Sequence, residues 1–65
     1  MRGTVTTFDA AAGLGTVTAD GGREYPFHAT QIADGTRTIA VGAAVWFEVR
    51  PWHQGRYEAT AITVC

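Results

Sequence analysis

Residues 45–50 read Val-Trp-Phe-Glu-Val-Arg. Val45, Phe47 and Val49 alternate with Trp46, Glu48 and Arg50, and this period of two is the signature of a strand with one buried and one open face. Gly42 resets the chain direction before the segment, and Pro51-Trp52-His53-Gln54-Gly55 turns it afterwards. Arg56–Val64 then reads as the last strand, ending on Ile62 and Val64. Upstream, Ala29–Ile39 carries Asp34-Gly35 and polar residues and reads as a loop, with one short 3₁₀ turn expected at Thr30–Ile32. Arg23–His28 is a strand that sends Tyr25 and Phe27 one way and Glu24, Pro26 and His28 the other. Pro26 has no N–H to donate, which places this strand at a sheet edge or puts a bulge there. Asp20-Gly21-Gly22 is a hairpin signal, and Leu14–Ala19 is the strand before it. Ala10–Ala12 has helical propensity, but Gly13 and Gly15 stop a helix at once, so a turn is expected. Residues 2–8 form the first strand.

Composition agrees with this pattern. Ten Thr, six Val and three Ile give a chain of 65 residues a large β-branched share, and such side chains are stiff at χ1 and suit a pleated surface. The expected class is all-β. The length allows one small domain, residues 1–65, which buries only about 60% of its unfolded surface. Five short strands with close turns imply a small barrel or sandwich. Closure into a five-stranded antiparallel barrel is favoured because it removes exposed edges.

Charge is nearly balanced, with five Arg, no Lys and six acids for a formal net charge of −1. Bulk positive charge therefore cannot drive binding to nucleic acid, although five Arg can still cluster on one face. The single thiol, Cys65, rules out an internal disulfide and fits a reducing, cytoplasmic setting. No apolar run approaches the ~20 residues of a membrane span, and no signal peptide is read at the start. Catalysis finds no support. The chain has no Ser and no Asn, its acids are scattered, and no His has a partner at nucleophile–base or metal-ligand spacing. Neither an enzyme nor a metal site is expected.

Five short motifs occur in order along the chain: Gly3-Thr4-Val5-x-x-Phe8-Asp9, Gly13-x-Gly15, Tyr25-Pro26-Phe27-His28-x-x-x-Ile32, Arg37-Thr38-Ile39-x-Val41-Gly42-x-x-Val45-x-Phe47-x-Val49 and Ala59-Thr60-x-Ile62. The ordered set resembles the cold-shock domain family. The resemblance is collinear and spans the whole chain. It implies an OB-fold barrel of five strands that binds single-stranded DNA or RNA without a cofactor, with an RNA-chaperone or regulatory role. In that family aromatic rings on the second and third strands stack on bases, at ~1–3 kcal/mol per base.

The departures fall on those rings. Where the family reads Lys-Gly-Phe-Gly-Phe-Ile, this chain reads Ala12-Gly13-Leu14-Gly15-Thr16-Val17. Where it reads Val-Phe-Val-His-Phe, this chain reads Tyr25-Pro26-Phe27-His28-Ala29, and where it reads Lys-Trp-Phe, this chain reads Thr6-Thr7-Phe8. Thr36 replaces a ring in the long loop. Losing three stacked bases at ~1 kcal/mol each weakens binding roughly a hundredfold, so weak binding is expected.

The resemblance makes Phe8, Gly13, Leu14, Gly15, His28 and Arg37 the candidate nucleic-acid-binding residues. Five of the six also have a plainer role. Phe8 packs at a barrel rim, His28 is a partly exposed strand histidine, the two glycines serve turn and curvature, and Arg37 is a solvated charge. A rival function follows from the rings that lie elsewhere. Trp46, Trp52 and Tyr57, with Arg56, would form a surface for a protein partner or a homodimer, since exposed aromatics on a small domain mark contact surfaces. Trp46 and Tyr57 side by side at a barrel end is the plainer alternative.

Overall fold

The computed structural model describes residues 1–65. Five strands build one antiparallel sheet: β1 (Arg2–Asp9), β2 (Leu14–Ala19), β3 (Glu24–His28), β4 (Ala44–Pro51) and β5 (Tyr57–Val64). Their spatial order is β3-β2-β1-β4-β5. The sheet curls until its outer strands, β3 and β5, pack on one another. A parallel bridge between Ile32 and Ile62, with the Ala33 N–H donating to the Ile62 carbonyl at 2.8 Å, ties the segment after β3 to β5. There is no α-helix, so no helix is long and apolar enough to cross a membrane.

The inside of the barrel follows the alternation read in the sequence. Val45 and Phe47 are buried while Trp46 and Glu48 are exposed, and Tyr25 and Phe27 are buried while Pro26 is exposed. Phe27, Phe47, Ile62, Val5, Val17 and Val45 are the largest fully enclosed side chains. Burial of such side chains contributes ~1.5–3 kcal/mol each and is the main stabilising term. Gly15 is part of this core by having no side chain. A Cβ there would sit 2.5 Å from Phe27 Cζ and 2.7 Å from the Thr7 carbonyl oxygen. Its role is close packing under the Phe27 ring.

Two irregularities bend the sheet. Between Val5 and Thr7 the β1–β2 register shifts by one, which leaves Thr6 unopposed. Its hydroxyl lies 3.3 Å from the Thr16 carbonyl and 3.1 Å from the Thr18 hydroxyl. Between β4 and β5 the extra residue falls on β5, where Ala61 takes a φ of 51°. Bulges raise local twist, and a five-stranded sheet needs that to close.

Boundaries differ from the sequence reading in small ways. The 3₁₀ turn spans Ala29–Gln31, one residue early, because the Ile32 N–H already closes onto the Ala29 carbonyl at 3.2 Å. Pro51 belongs to β4 and pairs with Tyr57 rather than opening the turn. β1 covers β4 only along Ala44–Trp46, so the far half of β4 has a free edge, the setting in which a strand proline is tolerated. Pro26 likewise sits on β3, at the end of the strand order.

Candidate nucleic-acid interface

Cross-strand pairing sets what the outer face of β1, β2 and β3 presents. One rung is Thr7–Thr16–Pro26, the next is Asp9–Leu14–His28, and on the other side lies Thr4–Thr18–Glu24. Threonine dominates this face, and the His28 imidazole is its only aromatic ring. Phe8 is not on it. The bulge at Thr6 puts Phe8 opposite Gly15, on the core side, and its ring stacks on Phe27 with centroids 6.1 Å apart and planes 6° apart. Phe8 is half-buried and packs at the rim, so the structure does not bring it together with His28.

Gly13, His28 and Arg37 do come together. They line an open groove of about 360 Å³ whose other walls are Ala10–Ala12 and Ala29–Thr30. The sequence builds each wall locally. Asp9 Oδ1 accepts from the N–H groups of Ala11 at 3.0 Å and Ala12 at 3.2 Å, which folds the alanines into a tight turn. Gly13 closes that turn at φ 67°, a conformation other residues rarely adopt, and its carbonyl accepts the Ala29 N–H at 2.8 Å. Across the groove, Asp34 shapes the long loop. Its Oδ1 accepts from the Thr36 N–H at 3.0 Å and lies 2.8 Å from the Thr36 hydroxyl. The bond from the Thr36 backbone, then that from its hydroxyl, holds the Asp34 carboxyl below its ordinary value. Arg37 follows with a φ of 59°, a left-handed backbone that costs energy for a residue with a Cβ.

His28 has a second set of neighbours on the seam between β3 and β5. Its Nδ1 lies 3.6 Å from Glu58 Oε2, and Glu58 is only 4% exposed. Arg50 donates from Nε to Glu58 Oε1 at 3.1 Å, supplying the buried carboxylate with a charge-assisted bond. The Trp52 ring meets His28 edge-on, with centroids 5.4 Å apart and planes at 89°. His53 packs on Trp52 at 4.4 Å. A second groove of about 360 Å³ opens at the other end of β3, lined by Arg23, Glu24, Tyr25, Pro26, Arg56 and Tyr57.

The three rings assigned to a partner surface are separated. Trp46 pairs with Thr63 and Arg2, and the Arg2 guanidinium lies 5.1 Å from its ring centroid. Tyr57 pairs with Pro51 at the opposite end of the β4–β5 ladder, so Trp46 and Tyr57 do not cap one barrel end. Trp52 is turned to His28. Sequence reasoning missed Glu58 and the placement of Trp52. The signal for Glu58 was the hairpin itself, because two strands around the Pro51–Gly55 turn set Arg50 opposite Glu58.

The chain matches the family model of the 'Cold-shock' DNA-binding domain over residues 1–65, its whole length. It belongs to the cold-shock domain family. No curated protein matches the chain. Membership assigns nucleic-acid binding at the level of the family and makes the closed five-stranded sheet a cold-shock OB-type fold. The positions at which the chain departs from the cold-shock motifs can now be placed. Thr7, Thr16 and Pro26 make one complete rung of the outer face, and Leu14 and His28 sit side by side in the next.

Proposed function

We propose that this cold-shock domain binds single-stranded DNA or RNA weakly, through the groove that gathers Gly13, His28 and Arg37. That convergence is the observation that carries the reading: three residues distant in sequence line one open groove. The half-exposed His28 imidazole offers a flat ring and a hydrogen-bonding edge to a base. Arg37 offers a phosphate contact from an exposed loop whose backbone is already held in an uncommon conformation. Leu14, beside His28, adds an apolar contact that tolerates any base. Gly15 supports this surface from beneath, because the place a Cβ would take there is filled by the Phe27 ring.

Few stacking rings give low affinity, and that suits a role in which a strand is held loosely and released, as an RNA chaperone or regulator does. No enzymatic step is proposed. Fluorescence anisotropy of labelled oligothymidylate and oligouridylate at low salt tests the reading. The expected result is saturable binding in the range of tens of micromolar, roughly a hundredfold weaker than a platform with three more stacked bases. Arg37→Ala should lower affinity and flatten its salt dependence by about 0.7 in the log–log slope. A flat anisotropy trace for both oligonucleotides overturns it.

A further inference from the structure

We propose that the binding track of this chain has left the β1–β2 face and follows the seam between β3 and β5. It runs from Arg37, past the edge-on ring pair of His28 and Trp52, to Arg56, Tyr57 and Arg23. The inference rests on the reading that the chain binds single strands and says where the strand lies.

The outer face of β1 and β2 has little to hold a strand. Its residues are Thr4, Thr6, Thr7, Asp9, Thr16 and Thr18, with Leu14 at its edge beside His28, and it has neither an aromatic ring nor a free cation. Arg2, the nearest guanidinium in β1, lies against Trp46. The seam holds what that face lacks. The two open grooves of the molecule sit at the two ends of β3, and each contains arginine. β3 has five residues, so the grooves are joined by a path of roughly 15 Å, and the ring pair stands at its His28 end.

The β4–β5 loop is built to present that ring. The Trp52 N–H donates to the Arg56 carbonyl at 2.7 Å, which closes the loop neck and holds Trp52 beside Arg56. Within the loop Gln54 takes a φ of 61°. A left-handed non-glycine residue on an exposed loop is strain of the kind that collects at ligand contacts. Charge complementarity favours a phosphate chain. Arg23 and Arg56 outnumber Glu24 in the second groove, and Glu58, the other acid on the seam, is already met by Arg50. Tyr57, 52% exposed, gives a second flat ring at that end.

The test uses the full chain carrying Trp46→Phe, which leaves Trp52 as its only tryptophan. Labelled oligothymidylate reports binding through anisotropy while Trp52 emission is followed in the same titration. The expected result is a Trp52 change that tracks the anisotropy. Trp52→Ala and Arg56→Ala should each weaken binding at least threefold, with Arg56→Ala also lowering the salt slope. Thr16→Ala on the β1–β2 face should stay within twofold of the parent. Arg56 is exposed and pairs with no acid, so its variant remains informative if Trp52→Ala fails to fold. Binding with unmoved Trp52 emission and full affinity in Arg56→Ala overturns the seam track while leaving single-strand binding intact. An absence of any anisotropy change removes both.

Discussion

The outer face of β1–β2 and the seam of β3–β5 belong to the same small barrel and differ in almost every surface property. The first is a threonine-rich face on which the Thr6 hydroxyl lies against the Thr16 carbonyl and the Thr18 hydroxyl. The second gathers His28, Trp52 and His53, a buried carboxylate and arginines at both ends. Beneath both lies one core, in which Phe8, Gly15 and Phe27 form one rung and the two rings stack across the bare glycine between them. A closed barrel separates fold from function cleanly. Inward positions hold the shape, so outward positions on one strand can lose their rings while a loop elsewhere acquires them.

The harshest way to break the comparison is to remove what the two regions share. Phe27→Ala should cost about 4 kcal/mol, measured as a lower midpoint in urea unfolding. That approaches the whole stability of a domain this size, and both surfaces should be lost together. Gly15→Ala should come close behind, because its new methyl meets a ring and a backbone oxygen at once.

The next experiment separates the seam from the rest. Arg50→Ala removes the guanidinium from a carboxylate that is almost wholly buried, whereas Glu58→Gln removes the carboxylate and leaves Arg50 and His28 largely solvated. An unmet buried charge is the costlier state. Arg50→Ala should therefore destabilise by about 2 kcal/mol and Glu58→Gln by less, compared by chemical denaturation. The reverse order would mean that Glu58 is held by something other than its arginine.

A gain of function sharpens the comparison from the other side. Thr16→Phe puts a ring on the outer face, in the rung between Thr7 and Pro26. The added ring should draw the strand back onto this face and tighten binding of oligothymidylate roughly tenfold by anisotropy, with the fold unchanged by circular dichroism. If affinity does not rise, this face is closed to the strand for a reason other than its missing rings.

These contrasts also mark what could be read from the residues alone. The alternation of Val45, Phe47 and Val49, and that of Tyr25 and Phe27, made the strands and their buried sides legible, because a period of two is a local property. The side on which Phe8 points was not legible. It depends on the extra residue at Thr6, and the curvature of the closed sheet decides where that bulge falls. Trp46, Trp52 and Tyr57 looked like one aromatic group in sequence and are three places in space, because hairpin register sends Trp46 to Thr63 and Tyr57 to Pro51. Trp52 set edge-on to His28 is a loop-to-strand contact whose loop carries left-handed residues at Gln54 and Gly55. Nothing in a linear pattern announces it. The groove of Gly13, His28 and Arg37 was legible through family resemblance, whereas its alanine wall, folded by Asp9, was not.

The smallest effect concerns the loop that brings Arg37 to the groove it shares with Gly13 and His28. The Asp34 carboxyl is held below its ordinary value of 3.8 by the Thr36 backbone and hydroxyl. Its ionised form is thus favoured in the folded loop, and the ordering it contributes is complete above that ordinary value. As pH falls through the lower folded value the carboxyl protonates and the contribution is lost. The Thr36 amide resonance, which reports the donated bond, should stay constant from neutral pH down to about 4 and shift only below it. Asp34→Ala should mimic the acid state at neutral pH. Because the group is fully exposed, global stability should not move, and the effect should appear in binding alone, as a loss of about twofold at the Arg37 end of the track, within the range of one weak exposed contact. A larger loss would mean that the left-handed backbone of Arg37 depends on Asp34. No loss would mean that the arginine reaches its phosphate from a loop already held by Gly35 and the Ile32 carbonyl.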